Sequence, residues 1–362
     1  MAKERKKWFY LPVGIAFLFY IFITARPIPE ETILIPRWIS SLESNFPVNL
    51  MDFNPALNEE PIPFILGERF GYVGDEGRFI INRLRNNYVS ISGRSWTEYE
   101  ARPSYINVMN SRDELVFTIE EPRAYPHFMD NRTYLLGSDQ NSISAIGEGG
   151  EKLWTHDFPA PITDLDGAAG FVLVGTLDGT VELLDPSGRP VMTPFEPGGS
   201  RLSVILGVAI SRDTSRLAII SGIDEQRFLL LERAGSNYRV IDHEFLNTGF
   251  RRPVHISFVD NDSKVAYERE GGLGIYDIAS RTSTNIPLKG DVQILDNSGA
   301  GRFLFVITSQ GPGEKRFVTI RYPASIIIDV PFRSENVFFA RRDNRIFLGG
   351  DLSMASFELG RK

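Results

Sequence analysis

Two consecutive segments of the chain share one pattern: Gly137 to Trp154, GSDQNSISAIGEGGEKLW, and Gly175 to Met192, GTLDGTVELLDPSGRPVM, offset by 38 residues. Each begins with a small residue and a polar turn, alternates apolar and polar positions, turns again at Asp or Gly, and runs on as a second extended stretch. Alternation at period two marks a strand with two unlike faces, and Asp/Gly clusters between such runs mark tight turns. A unit of this size cannot bury its apolar face alone, so it requires neighbours of its own kind packed against it.

The hairpin can be followed along the chain. Taking Ile106, Ile143, Val181, Phe228, Leu273, Phe317 and Met354 as equivalent positions, the spacings are 37, 38, 47, 45, 44 and 37 residues. A second signal stands upstream of most units: MDNRTYLLG, SRDTSRLAII, DNDSKVAYE, NSGAGRFLFV and RRDNRIFLG. Most put Asp or Asn in a tight turn, and each places Arg or Lys at the head of an apolar strand. Asx side chains bond the backbone in such turns, so Arg132, Arg216, Lys264, Arg302 and Arg345 are expected as turn-bracing residues. Units of about 40 residues repeated this often predict an all-β fold, a seven-bladed β-propeller over residues 67–362, with eight blades as the alternative count. The last unit lacks a fourth strand, and the run FGYVGDEGRFIINR from Phe70 to Arg83 is expected to close the ring against the C-terminal strands.

The positions Gly175, Asp178, Gly179, Val181, Leu183, Asp185 and Gly188, with Trp154 in the preceding copy, resemble the PQQ-like propeller repeat. The Asp-turn-Arg strands look more like WD-repeat and TolB-type propellers. Quinoprotein enzymes of this superfamily carry a docking tryptophan in nearly every blade and hold their cofactor with calcium and an adjacent cysteine pair. Here the expected propeller contains only Trp96 and Trp154, and the chain has no cysteine. The resemblance therefore implies a non-enzymatic member without cofactor, of the kind that includes the propeller subunit of the outer-membrane protein assembly machinery. That subunit is anchored by a lipid on cysteine, which this chain cannot carry.

Trp8 to Ala25 is an uncharged stretch of 18 residues preceded by Lys3, Arg5, Lys6 and Lys7. As a helix it reaches about 27 Å, enough to cross a hydrocarbon core. The basic flank predicts a cytoplasmic tail at residues 1–7, a single transmembrane signal-anchor helix at 8–25 and an extracytoplasmic remainder; a cleaved signal peptide is the competing reading. Residues 26–66 hold seven prolines and are expected to form a stalk. The expected location is the cytoplasmic membrane, single-pass, with a periplasmic C-terminal domain. The net charge of −7 falls to near −10 once the tail is removed, which argues against nucleic acid as a partner.

No phosphate-binding loop, nucleophile elbow or His-Glu-x-x-His motif is present. Asp260-Asn261-Asp262 and Asp164-Leu165-Asp166-Gly167 begin like calcium loops, but neither continues the ligand series. His127 and His255 fall in expected innermost strands and are candidate channel residues. Arg123, Arg201, Arg252, Lys289 and Arg333 each stand just ahead of an innermost strand. The loops between blades emerge on one face, so these five are expected to form a basic docking ring at the channel mouth, suited to an acidic segment of a protein partner. The sequence thus points to a membrane-tethered scaffold with protein partners in the cell envelope. The alternative is a propeller that takes a small anion or glycan at the channel mouth.

Overall fold

The computed structural model describes residues 32–44, 47–49, 60–120, 122–296 and 301–361. The expected cytoplasmic tail and membrane helix lie outside these residues. Among the described residues no helix is long and apolar enough to cross a membrane. The chain divides into a unit of Pro36–Glu358 and a smaller one of Met1–Ile35 with Leu359–Lys362; in the latter, Gly360 packs on Ile35.

The described residues form eight antiparallel sheets. First in the chain come β1 (Thr32–Ser41) and β2 (Pro47–Asn49). Blade 1 is β3 (Ile62–Leu66), β4 (Arg69–Val73) and β5 (Phe79–Leu84). Blade 2 is β6 (Tyr88–Ile91), β7 (Ser95–Tyr99), β8 (Tyr105–Asn110) and β9 (Leu115–Glu120). Blade 3 is β10 (Ala124–Met129), β11 (Arg132–Gly137), β12 (Ser142–Ile146) and β13 (Lys152–Asp157). Blade 4 is β14 (Ile162–Ala168), β15 (Phe171–Thr176) and β16 (Val181–Leu184). Blade 5 is β17 (Ile205–Ile210), β18 (Arg216–Ser221), β19 (Gln226–Ala234) and β20 (Asn237–Leu246). Blade 6 is β21 (Ile256–Val259), β22 (Lys264–Arg269), β23 (Gly272–Asp277) and β24 (Thr282–Pro287). Blade 7 is β25 (Asp291–Leu295), β26 (Phe303–Gly311), β27 (Glu314–Arg321) and β28 (Ser325–Arg333). Blade 8 is β29 (Val337–Arg342), β30 (Arg345–Gly350) and β31 (Ser353–Arg361), followed outward by β1 and then β2.

The count is eight blades and not the seven expected. Phe70 to Arg83 is not the closing piece: it pairs with β3 to make a blade of its own. Its Phe70 stands 36 residues before Ile106, in step with the series that follows. The closing strand is instead β1, inside the segment expected to be a stalk, so the sheets begin well before residue 67. Its proline-interrupted sequence hides a short alternation in which Trp38 and Ser40 are buried while Ile39 is exposed. Leu42 follows and is also buried.

Burial proceeds gap by gap, because each sheet is apolar on both faces and packs against the next. Blades 8 and 1 enclose Trp38, Phe64, Phe79, Phe347 and Met354. Blades 1 and 2 enclose Phe70, Tyr72, Ile81 and Trp96. Corresponding clusters fill the next five gaps, and Phe305, Phe317 and Phe339 join blades 7 and 8. Each such side chain contributes about 1.5–3 kcal/mol when taken out of water.

One docking contact recurs around the ring. Trp154 Nε1 on the outer strand of blade 3 donates to Pro186 O at 3.0 Å, in the turn after β16 of blade 4. Gly188, at φ +78°, lies beneath the indole, where a Cβ would come within 2.5 Å of the ring. Trp38 on β1 repeats this on blade 1, donating to Asp75 O at 2.6 Å over Gly77 at φ +79°. Trp38 therefore joins Trp96 and Trp154 among the propeller tryptophans, and it sits at the closure.

Candidate docking face

Backbone hydrogen bonds sort the loops onto two sides of the ring. The turn between the second and third strands of a blade bonds the connections between blades: Phe158 N–H to Asn141 O, Leu177 N–H to Pro161 O, Leu288 N–H to Gly271 O and Ser334 N–H to Gly313 O, all within 2.7–3.0 Å. This is the loop face. The turns between the first and second strands, and between the third and fourth, define the opposite turn face; in blade 1 it is the β3–β4 turn that bonds the next connection, Glu68 O accepting the Arg85 N–H at 2.7 Å, so the β4–β5 turn lies on the turn face.

On the turn face, cations and carboxylates are used to join blades. Asp75, on the turn between β4 and β5, receives Arg342 at 3.2 Å and Arg345 at 2.9 Å from blade 8, and its carboxylate is nearly fully buried. Arg341 meets Asp296 at 3.1 Å with both side chains 5% exposed, and its guanidinium lies over the Phe305 ring. Arg212 of blade 5 meets Asp262 of blade 6 at 3.1 Å. Asp130 accepts the Gly170 N–H of the next blade at 2.6 Å. The expected turn chemistry is visible here: Asp130, Asn131, Asp260, Asn261, Asp262 and Asp343 all have positive φ. Lys264 bonds Asp260 and Asp277, and Arg216 bonds Glu232.

The loop face differs. Arg123, Lys289 and Arg333 are exposed there, and their side chains make no hydrogen bond or ion pair among the described residues. Arg201 stands with its side chain 93% exposed, 3.3 Å from Asp224. Arg252 is otherwise engaged: it pairs with the buried carboxylate of Glu268 at 2.5 Å and lies over the Phe250 ring. That pairing holds the guanidinium even more firmly protonated than usual. On this same face Tyr88, Leu177, Leu202, Phe245 and Leu352 are each about half exposed or more. Single exposed apolar residues are ordinary, but aromatic and basic side chains gathered on one face have the composition of a protein-binding surface.

The two candidate histidines are placed apart in the ring. His127 lies on β10 of blade 3, where burial pushes its imidazole below the usual value. His255 precedes β21 of blade 6 and lines a cleft of about 280 Å³ with Asp164, Asp166, Val208 and Ile210; His127 does not line it. Burial lowers the His255 value as well, opposed by the charge of Glu268.

Asp164 and Asp166 serve a purpose that sequence reasoning missed. They sit two apart on β14 and project to the same side, as alternate strand residues do. Asp164 Oδ2 accepts the Val208 N–H at 2.8 Å and Asp166 Oδ2 the Ile210 N–H at 2.9 Å, so both brace β17 of the adjacent blade. Burial pushes Asp164 up to about 6, against the lowering effect of the Val208 and Leu165 N–H groups, and raises Asp166 too. The Asp-x-Asp spacing on an apolar-flanked strand was the available signal, and it reads equally well as a calcium loop.

A family model described as beta-propeller protein matches residues 1–361. An uncharacterized protein of Treponema pallidum (strain Nichols) is 26% identical over 363 residues, covering 99% of this chain and 95% of its own length. Among solved structures, BamB from Moraxella catarrhalis superposes with a TM-score of 0.57 at 13% identity, covering 90% of this chain and 100% of that one. The computationally designed Ika8 protein gives 0.60 at 11%, covering 84% and 98%. The dihydro-heme d1 dehydrogenase NirN gives 0.54 at 14%, covering 72% and 58%. Across such low identities these three share the fold, and one of them is an enzyme, so the fold alone assigns no activity.

Proposed function

The chain belongs to the β-propeller protein family, and from that premise we propose that it is a non-enzymatic protein-interaction scaffold of the cell envelope that docks partners on its loop face. One observation carries this reading. Exposed aromatic and aliphatic side chains share that face with Arg123, Arg201, Lys289 and Arg333, while the turn face spends its cations on joints between blades. A rigid ring with unspent donors on one side suits recognition of an acidic protein segment through charge-assisted hydrogen bonds. The PQQ-like features at Gly175–Gly188 and the fold shared with BamB support a scaffold of this kind.

The uncharged stretch Trp8–Ala25 behind a basic tail supports tethering to the cytoplasmic membrane, with the propeller in the periplasm. A small-ligand propeller is the second reading, favoured by the cleft at His255. Its carboxylates disfavour an anion there and leave glycan hydroxyls as the better fit.

The test is in-cell crosslinking and pull-down from membrane extracts, comparing the full chain with a variant carrying Arg123, Arg201, Lys289 and Arg333 all changed to Ser. A defined envelope partner captured by the wild type and lost by the folded variant supports the reading. Equal capture by both, or none by either, overturns it. Fractionation and protease accessibility of the full chain in spheroplasts test the tether separately.

A further inference from the structure

The chain enters the ring from the turn face. Leu42, just past the end of β1, donates its N–H to Leu352 O at 2.9 Å, in the β30–β31 turn of the loop face. β1 therefore runs from the turn face to the loop face, and Pro36, where the larger unit begins, lies on the turn-face side of Leu42. Ten residues, 26–35, separate Pro36 from Ala25, the last of the uncharged stretch. At no more than about 3.6 Å per residue they span at most ~36 Å. An anchor at Trp8–Ala25 would thus hold the ring by the turn-face side of blade 8.

A second feature marks the same part of the rim. The turn between the third and fourth strands leads into the outer strand, and in blades 7, 1, 2 and 3 that strand opens on aliphatic side chains in solvent. Ile326, Ile80, Leu115 with Val116, and Leu153 stand at its first or second position, each at least 40% exposed. These blades lie to either side of blade 8, blade 7 packing on it from one side and blade 1 from the other. Farther round, β20 and β24 open on Asn237-Tyr238 and Thr282-Ser283, and the exposed Val240 of blade 5 comes only at the fourth position. Blade 4 has no fourth strand in its sheet. One exposed aliphatic residue is ordinary, but a row at matching positions of the blades that flank the tether makes a surface.

We infer that the turn-face rim of blades 7, 1, 2 and 3 rests on the bilayer surface, its aliphatic side chains reaching between the lipid headgroups, so that the loop face is held away from the membrane and open to partners. This deepens the scaffold reading and rests on the tether it includes. The contact is apolar and not electrostatic. The same turns carry both signs: Arg78 stands 3.8 Å from Glu76, Arg112 precedes Asp113 and Glu114, and Lys152 follows Glu151. Such a rim selects no anionic surface, unlike a polybasic segment. The tether supplies what so small a contact lacks, because it presents the bilayer to the rim at high effective concentration.

The test uses the full chain reconstituted through its own N-terminal segment into phosphatidylcholine vesicles. The chain has no cysteine, so a single introduced one carries a fluorophore at a chosen site. The sites are Glu114→Cys on the rim, Ser236→Cys on the turn face of blade 5 and Leu352→Cys on the loop face of blade 8. Quenching by lipids spin-labelled at the headgroup should be at least threefold stronger at Glu114→Cys than at the other two, and unchanged at high salt. Changing Ile80, Leu115, Val116, Leu153 and Ile326 together to Ser should abolish that excess while the melting temperature and flotation with vesicles are kept. The loop-face Ser variant should be quenched like the wild type, so failure of that face and failure of this rim are read separately. Chains that do not float with the vesicles would remove the tether and the inference with it. Floating chains with equal quenching at the three sites, strongest quenching at Leu352→Cys, an excess that survives the aliphatic-to-Ser changes, or one lost at high salt would overturn the rim contact and leave the tether standing. Disulfide-linked dimers through unlabelled Glu114→Cys, without headgroup quenching at that site, would assign the rim to a second copy and overturn it too.

Discussion

The two faces of the ring use the same residue types to opposite ends. On the turn face, Arg341, Arg342 and Arg345 are held against Asp296 and Asp75, carboxylates almost fully removed from water, and each pair spans two blades. On the loop face, Arg123, Lys289 and Arg333 are exposed, as are Leu202 and Phe245 elsewhere on that face. Cohesion and recognition are thus assigned to different sides. A change on one side should move stability with little effect on binding, and a change on the other should do the reverse.

The largest expected effect is at the closure. Trp38→Ala removes a buried indole from between blades 8 and 1, and should cost about 3–5 kcal/mol in urea unfolding while leaving loop-face side chains in place. Asp75→Asn follows. Removing the anion that two guanidiniums share should destabilise by about 3 kcal/mol, seen as a lower melting temperature. Should Asp75→Asn prove neutral, the turn face is not the structural side of the comparison.

Asp164→Asn sharpens the contrast through its pH dependence. The folded value near 6 lies above the ordinary 3.8, so folding favours the protonated carboxyl. Its contribution to stability is fully present below about pH 4, is lost as pH rises to 6, and is constant above that. The amide keeps an acceptor for the Val208 N–H without the charge, so the variant should be more stable than wild type at pH 7.5 by about 2 kcal/mol. The two should converge near pH 4 in denaturant titrations. The smallest stability effect is expected on the loop face. The fourfold change of Arg123, Arg201, Lys289 and Arg333 to Ser should alter stability by less than about 1 kcal/mol in calorimetry. A larger loss would mean that these cations brace the fold after all.

Much of the architecture is legible in the residues. Gly188 and Asp185 announce a turn that only a positive-φ residue completes, and the DND and RDN runs mark real turns on the turn face. The blade count was not, because Phe70 to Arg83 and the last unit each show part of a blade, and only their partners in space distinguish a closing piece from a unit. Trp38 is hidden for the same reason: its neighbours Asp75 and Phe347 lie far away along the chain, and the prolines around it read as linker. The five basic positions lie at inter-blade connections of the loop face, and nothing in the sequence sets Arg252 apart from Arg123. That difference lies in Glu268, a buried carboxylate that claims the guanidinium from a neighbouring strand of the same sheet.

The closing contact also imposes an order in time. Trp38 emerges from the ribosome early, but the sheet it completes needs β31, which ends at Arg361. At a synthesis rate of about 5–20 residues per second the strand waits roughly 15–65 s for its partner. Throughout that interval the first blade's flank, with Phe64 and Phe79, has no neighbour. Apolar strands therefore stay uncovered while the chain is being made, and a chain lacking β31 would leave β1 without the strand it joins.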